Sequence, residues 1–416
     1  MNRQLGGLTA LTLVALTLVS ATAGAQETDP GSLSLTEAIG NGKFGLGFRY
    51  RYEYVNDDNP VLFDDTAHAS TVRLRMNYRT GTWRHFSAFG EFDYVGEVLL
   101  DDFNNLSGDP GRGDYPVVAD PKGPDLNQLY LDYSASDNAR LRFGRQRILL
   151  DNQRFVGGVG WRQNEQTYDG MSLSVKELGN AELQYAYVTT VRRIPGNEVA
   201  AGRHDVAAHL LNVNFKVNDN WSVVPYYYYI DNEDAAGAST GTFGVRATGK
   251  VPVGESNLSV VAEYASQSDV ANNPVSYDAD YLNLSASYAW DNGLSLALAY
   301  ESLGGDQNRA GSAFRTPLAT LHAFQGWADK FLATPGAGVE DLFVTAKYKA
   351  GDWNLTGVYH DFSAEDGSAD WGSEFDFSAG RSLGNGYGLL LKAAMYDADQ
   401  HSADTTKFWV MITGTY

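Results

Sequence analysis

The stretch "KFGLGFRYRYEYV", Lys43 to Val55, decides how this chain is read. Phe44, Leu46, Phe48, Tyr50, Tyr52 and Tyr54 fall on one face of an extended strand, and Gly45, Gly47, Arg49, Arg51 and Glu53 on the other. Successive side chains of a strand point to opposite sides. An apolar, aromatic face opposite a charged one suits a strand standing between lipid and water. A soluble sandwich gives the same alternation with its apolar face turned inward, so the connections between strands have to separate the two.

They do so by an asymmetry. Period-two segments recur near 43–55, 70–79, 84–98, 125–134, 139–149, 168–175, 181–191, 207–217, 222–230, 241–250, 257–267, 279–288, 294–301, 340–349, 353–362, 374–382, 387–397 and 407–416, which makes 18 expected strands. Links after even-numbered strands are short, such as "GTW", "ASDN", "NDNW" and "LGNG". Those after odd-numbered strands are long, such as 56–69, 99–124, 150–167 and 302–339. Turns on one side and loops on the other mark a transmembrane antiparallel β-barrel, with turns in the periplasm and loops outside. The last strand, "KFWVMITGTY", ends on Tyr416, resembling the terminal aromatic signal read by the outer-membrane insertion machinery.

Composition agrees. Residues 1–25 read as a secretory signal peptide: Arg3, an apolar run from Leu8 to Val19, and Ala23-Gly24-Ala25 before the cleavage point. Residues 26–416 then form one barrel domain, with 26–42 as a short lead-in. No later segment is long and apolar enough for a membrane-spanning helix. The chain has no Cys, which excludes disulfides, thiolate metal sites and a Cys nucleophile. With 31 Lys+Arg against 51 Asp+Glu and a net charge of -20, nucleic acid is excluded as a partner. The seven histidines, His68, His85, His204, His209, His322, His360 and His401, stand in no recognisable nucleophile context, which argues against a barrel lipase or protease.

An 18-stranded barrel is too wide for its own side chains to fill. The residues opposite the apolar face therefore define a solute path. By alternation, basic residues outnumber acidic ones on that face, although acid dominates the whole chain. Arg49, Arg51, Arg73 and Arg75 concentrate on one wall, with Arg142, Arg246 and Lys347 elsewhere. Such guanidinium forks either lower the barrier for an anion leaving water or pair across strands with Glu53, Glu91 and Asp93. The densest polar segment, Phe143 to Gly170, adds Arg145, Arg147, Arg154 and Arg162 around Trp161; it reads as a sugar-holding site or as a loop network that buttresses the wall. Acidic clusters in the loops (Asp57, Asp58, Asp64 and Asp65; Asp231, Glu233 and Asp234; Glu365, Asp366 and Asp370) offer Ca²⁺ bridges to lipopolysaccharide or plain solvation.

One segment breaks the pattern. In "FRTPLATLHAFQGWADKFLATPG", Phe314 to Gly336, apolar residues recur at helical spacing between Thr316-Pro317 and Pro335-Gly336, predicting a short helix in the seventh loop. Buried on a face of Leu321, Phe324, Ala328 and Phe331, against other loops or wall aromatics such as Phe89 and Tyr130, it would plug or cap the mouth. His322 and Trp327 lie on the same segment, with Arg315 and Lys330 near the entrance.

Two segments, "GRQRILLDNQRFVGGVGWRQNEQTYDG" and "TPLATLHAFQGWADKFLATPGAGVEDLFV", resemble the alginate-export family of outer-membrane barrels. The resemblance extends in strand number and loop pattern over essentially the whole mature chain. It implies a monomeric channel of the Gram-negative outer membrane, set in lipid and lipopolysaccharide, whose Arg- and Lys-lined lumen conducts an anionic uronate polymer. The expected function is passive passage of anionic solutes, acidic saccharides foremost, without a cofactor. A general porin for small organic anions and a structural or adhesion barrel are the alternatives.

Overall fold

In the computed structural model, which describes residues 34–63, 65–108, 111–254 and 256–416, the alternating segments close edge to edge into one antiparallel barrel. The expected signal peptide and Asp64 lie outside the described residues. A six-residue helix, α1 (Leu35–Gly40), opens the described chain, with Ser34 and Glu37 forming a capping box. The strands are β1 (Lys43–Asp57), β2 (Ala67–Arg79), β3 (Phe86–Asp102), β4 (Gly123–Ser136), β5 (Ala139–Gln146), β6 (Thr167–Leu178), β7 (Ala181–Arg192), β8 (Arg203–Asn218) and β9 (Trp221–Asn232). They continue with β10 (Thr240–Val253), β11 (Ser256–Asp269), β12 (Asp278–Ala289), β13 (Leu294–Leu303), β14 (Val339–Ala350), β15 (Trp353–Ser363), β16 (Asp370–Gly384), β17 (Tyr387–Ala398) and β18 (Thr405–Thr415). Each pairs with its sequence neighbours, and β1 closes the ring on β18 through Tyr50↔Ile412 and Tyr52↔Val410.

Burial separates barrel from sandwich. Phe44 is 65% exposed and Leu46 40%, whereas Arg51 and Glu53 on the opposite face of β1 are 0% exposed. A sandwich would bury the first pair and expose the second. The inversion holds around the ring: Leu298, Phe243 and Tyr359 face outward and Glu301, Glu263 and His360 inward. An outer face this apolar is solvated by hydrocarbon, and a closed ring leaves no strand edge unpaired in it. No described helix is long and apolar enough to cross a membrane; this chain crosses with strands.

Two of the long loops turn into the lumen: L3 (147–166), after β5, and L7 (304–338), after β13. They meet in a parallel bridge between Val156 and Leu318, where Gly157 N donates to the Leu318 carbonyl at 2.8 Å. Their apolar residues (Ile148, Leu150, Phe155, Phe314, Leu318, Ala328 and Phe331) share one core with inward-facing Tyr226, Tyr228, Tyr281 and Phe362 of the wall. Each large apolar side chain so buried contributes about 1.5–3 kcal/mol.

The helix expected over 314–336 is not formed. The segment runs through turns, with Leu321, Gln325 and Asp329 at φ of 61°, 50° and 65°. A helix presents one stripe to one partner, but inside a barrel the partners surround the chain. Phe314 packs on Phe155 and Tyr281, Phe331 on Phe362, Tyr396 and His401, and Phe324 lies under Arg154. The backbone donors of Trp327 and Ala328 go to the Glu374 carboxylate instead of to carbonyls four residues back. Gly326, at φ 77°, lies so close to Glu374 that an added Cβ would stand 2.2 Å from Oε2. Phe89 and Tyr130, the expected partners, instead stack under Arg79 and Arg142. Among the described residues, which leave out Asp64 of the first acidic cluster, no group of three or more His, Asp or Glu could hold a metal ion. Asp57 is taken by Lys330 at 2.7 Å, and Glu365 and Asp366 accept from the backbone of Gly305 and Gln307.

Candidate functional site

The arginine wall is built by register. Arg49 of β1 stands directly opposite Arg73 of β2, a like-charge pair that is unfavourable by itself. L3 resolves it with carbonyl and carboxylate oxygens. Arg49 donates to the Gly160 carbonyl at 2.9 Å, to Gln163 Oε1 at 3.0 Å and to the Arg162 carbonyl. Arg73 donates to the Gln163 carbonyl at 3.1 Å. Arg51 reaches the Trp161 carbonyl and Asp120. Arg75 forks onto Asp93 at 2.7 and 2.6 Å and reaches Glu165 at 2.8 Å. Arg147 completes the cluster on Glu91 and Glu165. Burial pushes the Glu165 pKa up, but Arg75 and Arg147 outweigh it and bring it down to about 2. Pairing with protein oxygens thus takes up most of the guanidinium donors of this wall.

Acidic wall residues and Lys407 hold the rest of L3 and L7. Arg154 bridges the two loops, donating to Glu301 at 2.8 Å and to Gln325 at 3.0 Å. Arg162 binds Glu53 at 3.0 and 3.2 Å and approaches Asp329 at 3.5 Å. Lys407 of β18 donates to Asp329 at 2.8 Å.

His322 sits where the loops converge. Its ring stacks on Trp161, with centroids 4.7 Å apart and 9° between planes, and edges onto Trp409. Lys392 Nζ of β17 lies 2.6 Å from Nε2. An ammonium only donates, so Nε2 accepts and Nδ1–H donates to Asp329 at 2.7 Å. Burial, reinforced by Lys392 and opposed by Asp329, pushes the His322 pKa down to about 3. His322 lines two cavities. The inner one, of about 600 Å³, is bounded by Arg49, Arg147, Trp161, Trp327 and Lys392. The outer one, of about 300 Å³, is bounded by Arg162, Asp329, Lys330, Lys407 and the first loop. The ring thus borders both the cavity beside the first loop and the one bounded by L3, L7 and the wall.

Arg49, Arg51, Arg73, Arg75, Arg147, Arg154 and Arg162 thus belong, with His322, Trp327 and Lys330, to the contacts that tie L3 and L7 to the wall and to each other. Arg142, on Asp132 at 2.6 Å, and Arg246, on Glu263, belong to the wall away from these contacts. Arg145 falls on the outer register, that of half-exposed Phe143, and pairs with Asp169 at 2.7 Å. Lys347 is exposed near the turn end of β14. Arg315 lies in L7 on the far side from the inner cavity. Lys392, Lys407, Glu374 and Asp120 were not singled out by sequence as site residues. Alternation places the first three in the lumen, but only the fold brings Lys392 to His322; Asp120, in an irregular loop, has no periodic signal.

The family model described as alginate export matches residues 41–302, which run from just past α1 almost to the end of β13 and include L3 but not L7. Among solved structures, OccAB2 of Acinetobacter baumannii superposes with a TM-score of 0.70 at 16% identity, over 91% of this chain and 99% of that one. OpdK of Pseudomonas aeruginosa, solved with vanillate, gives 0.69 at 14% over 91% and 99%. OpdO of the same organism gives 0.69 at 12% over 92% and 98%. At such identities the likeness is one of fold. No curated protein matches the sequence. A closed barrel with an apolar outer face, a charged lumen narrowed by two loops and a family match over most of its length make this chain an outer-membrane channel, not an enzyme, and a member of the alginate export family.

Proposed function

We propose that the channel passes small organic anions, one at a time, through the constriction at His322. The observation that carries this reading is the inner cavity, where two cations stand without a carboxylate partner among the described residues. Arg49 binds only amide oxygens, and Lys392 lies between His322 and the faces of Trp327 and Trp161, at 3.7 and 4.3 Å from the ring centroids. Flat indoles beside unneutralised cations suit a planar carboxylate: the charge meets the cations while the apolar body stacks. OpdK was solved with vanillate, an acid of that kind, which supports the same class here. Arg147, which also lines the cavity, would hand the anion onward.

A uronate polymer is the second reading, favoured by the family description. It fits less well, because L3 and L7 are joined through backbone hydrogen bonds across the lumen and Gln166 and Tyr168 both bond the Leu318 carbonyl. A thread of sugars would have to break that seam. Reversal potentials in planar bilayers test the proposal: a KCl gradient is expected to give anion selectivity, lowered by Arg49→Gln and Lys392→Gln, with benzoate as a better blocker than oligo-uronate. Cation selectivity of the wild type would refute it.

A further inference from the structure

On the far side of L7 from the inner cavity lies a third cavity, of about 420 Å³, between the loop and the extracellular ends of β7 to β10. It shares Leu332 with the outer cavity at the constriction and no residue with the inner one. Its volume is in the range of small-molecule pockets.

Two arginines line it, and both lack an acid. Arg193, just past β7, makes one long contact, 3.5 Å to the Ala201 carbonyl. Arg315 makes one of 3.4 Å to the Gly311 carbonyl, and its buried Nε has no partner. Neither has a carboxylate within 4 Å among the described residues, although the chain carries a net charge of -20. Their neighbours differ: Arg192 is paired with Asp169 at 3.0 Å and Arg203 with Asp205 at 2.7 Å. A half-buried guanidinium with unmet donors is costly unless an anion arrives.

The site is also rigid. Gln267 clamps the Arg315 backbone, accepting from its N–H and donating to its carbonyl, each at 2.8 Å. Asn232 Oδ1 accepts from Ala235 N at 2.8 Å, which turns its amide nitrogen to His204 Nδ1 at 3.1 Å. That nitrogen accepts, so Nε2 carries the proton and is the ring's donor. The rest of the lining is mostly apolar, with Pro317, Leu318 and Leu332 among it.

We propose that this cavity is a capture site for a small organic acid with an apolar body, its carboxylate held by Arg193 and Arg315 before passage to the constriction. A uronic acid fits poorly, because its hydroxyls would be desolvated against Pro317, Leu318 and Leu332.

The test titrates benzoate, and glucuronate as comparator, into the purified full-length barrel in detergent by calorimetry. The wild type is expected to bind benzoate, and glucuronate at least about tenfold more weakly. Arg315→Gln and, separately, Arg193→Gln should each weaken benzoate binding about tenfold or more, as for a lost charge-assisted hydrogen bond. A variant with both Arg49 and Lys392 changed to Gln, which removes the constriction's own share of benzoate, should retain one site that adding Arg315→Gln weakens about tenfold or more. Heat-dependent gel mobility confirms folding, and the second arginine variant serves if the first misfolds. No binding by the wild type, loss of all binding in the constriction variant, unchanged affinity when Arg315→Gln or Arg193→Gln is added to that variant and it folds, or glucuronate binding as tight as benzoate would overturn the proposal. Failure of the constriction as an anion filter reads out separately, as cation selectivity in KCl without benzoate.

Discussion

Glu165→Gln is the sharpest test of how L3 is held in the lumen. Glu165 accepts from Arg75 at 2.8 Å, from Arg147 and from Asn127 at 3.2 Å, and its side chain is 9% exposed. Its pKa falls from an ordinary 4.5 to about 2 when L3 docks. A carboxyl with a depressed pKa in the docked state contributes stability that is fully present above about pH 4.5 and is lost as pH falls toward 2. At about 1.4 kcal/mol per pH unit, that gap corresponds to roughly 3 kcal/mol. Gln keeps the shape and one acceptor but removes the charge that Arg75 and Arg147 share. The open population of L3 should then rise roughly a hundredfold. Hydrogen exchange at pH 7 reads this directly: amides of 147–166 should lose protection in the variant while those of β1 and β2 keep theirs. In planar bilayers, wild-type conductance should be level from pH 7 to about 4.5 and change below it, and the variant should show little of that acid transition. Equal protection of L3 at pH 7, or an identical acid transition in both proteins, would refute the reasoning.

The position of His322 gives a second expectation. His322→Ala should join the two cavities and raise single-channel conductance; an unchanged conductance would mean that His322 does not limit the path. Because burial holds the His322 pKa near 3, its ring stays neutral across the physiological range and contributes no bend of its own to reversal potentials near pH 6.5. An inflection there that His322→Ala removes would contradict this. Gly326→Ala combines a φ of 77° with a Cβ placed against Glu374, so it should cost about 1–3 kcal/mol of L7 docking and speed exchange in 320–332 without unfolding the barrel. Exchange at the wild-type rate would show that the Glu374 contact is not what holds L7.

Much of the fold is legible because a barrel wall is local chemistry. A strand of ten residues between hydrocarbon and water must alternate, so Phe44 to Glu53 gives away both its faces and Lys407 and Trp409 are placed inward by the same rule. Turn and loop lengths add the topology. The strand ends differ from expectation by up to four residues, mostly toward the loops, as in β3, β8 and β16, where pairing continues past the apolar band. The arginine wall was readable as a wall, and so was cross-strand pairing with Asp93 and Glu91, but its loop partners were not: Asp120, Glu165, Gly160 and Gln163 come from irregular loops, and no period relates them to Arg49 or Arg51.

L7 shows where local signals fail. Its helical spacing is real, but helix formation in so short a segment rests on packing of a single face. The lumen offers Phe362 on one side, Glu374 on another and L3 on a third, and the backbone gains more by bonding to Glu374 and Gln153 than by bonding to itself. The sequence by itself determined a membrane barrel, its strand count, its orientation and the identity of two unusual loops, because each follows from side-chain alternation and chain length. Tertiary structure alone decided that these loops turn inward and meet at Leu318, that most of the arginines are spent on holding L3, and that Lys392, Trp161 and His322 converge on one gap. Those outcomes depend on which groups meet across a closed ring, a non-local property set only when β1 pairs with β18.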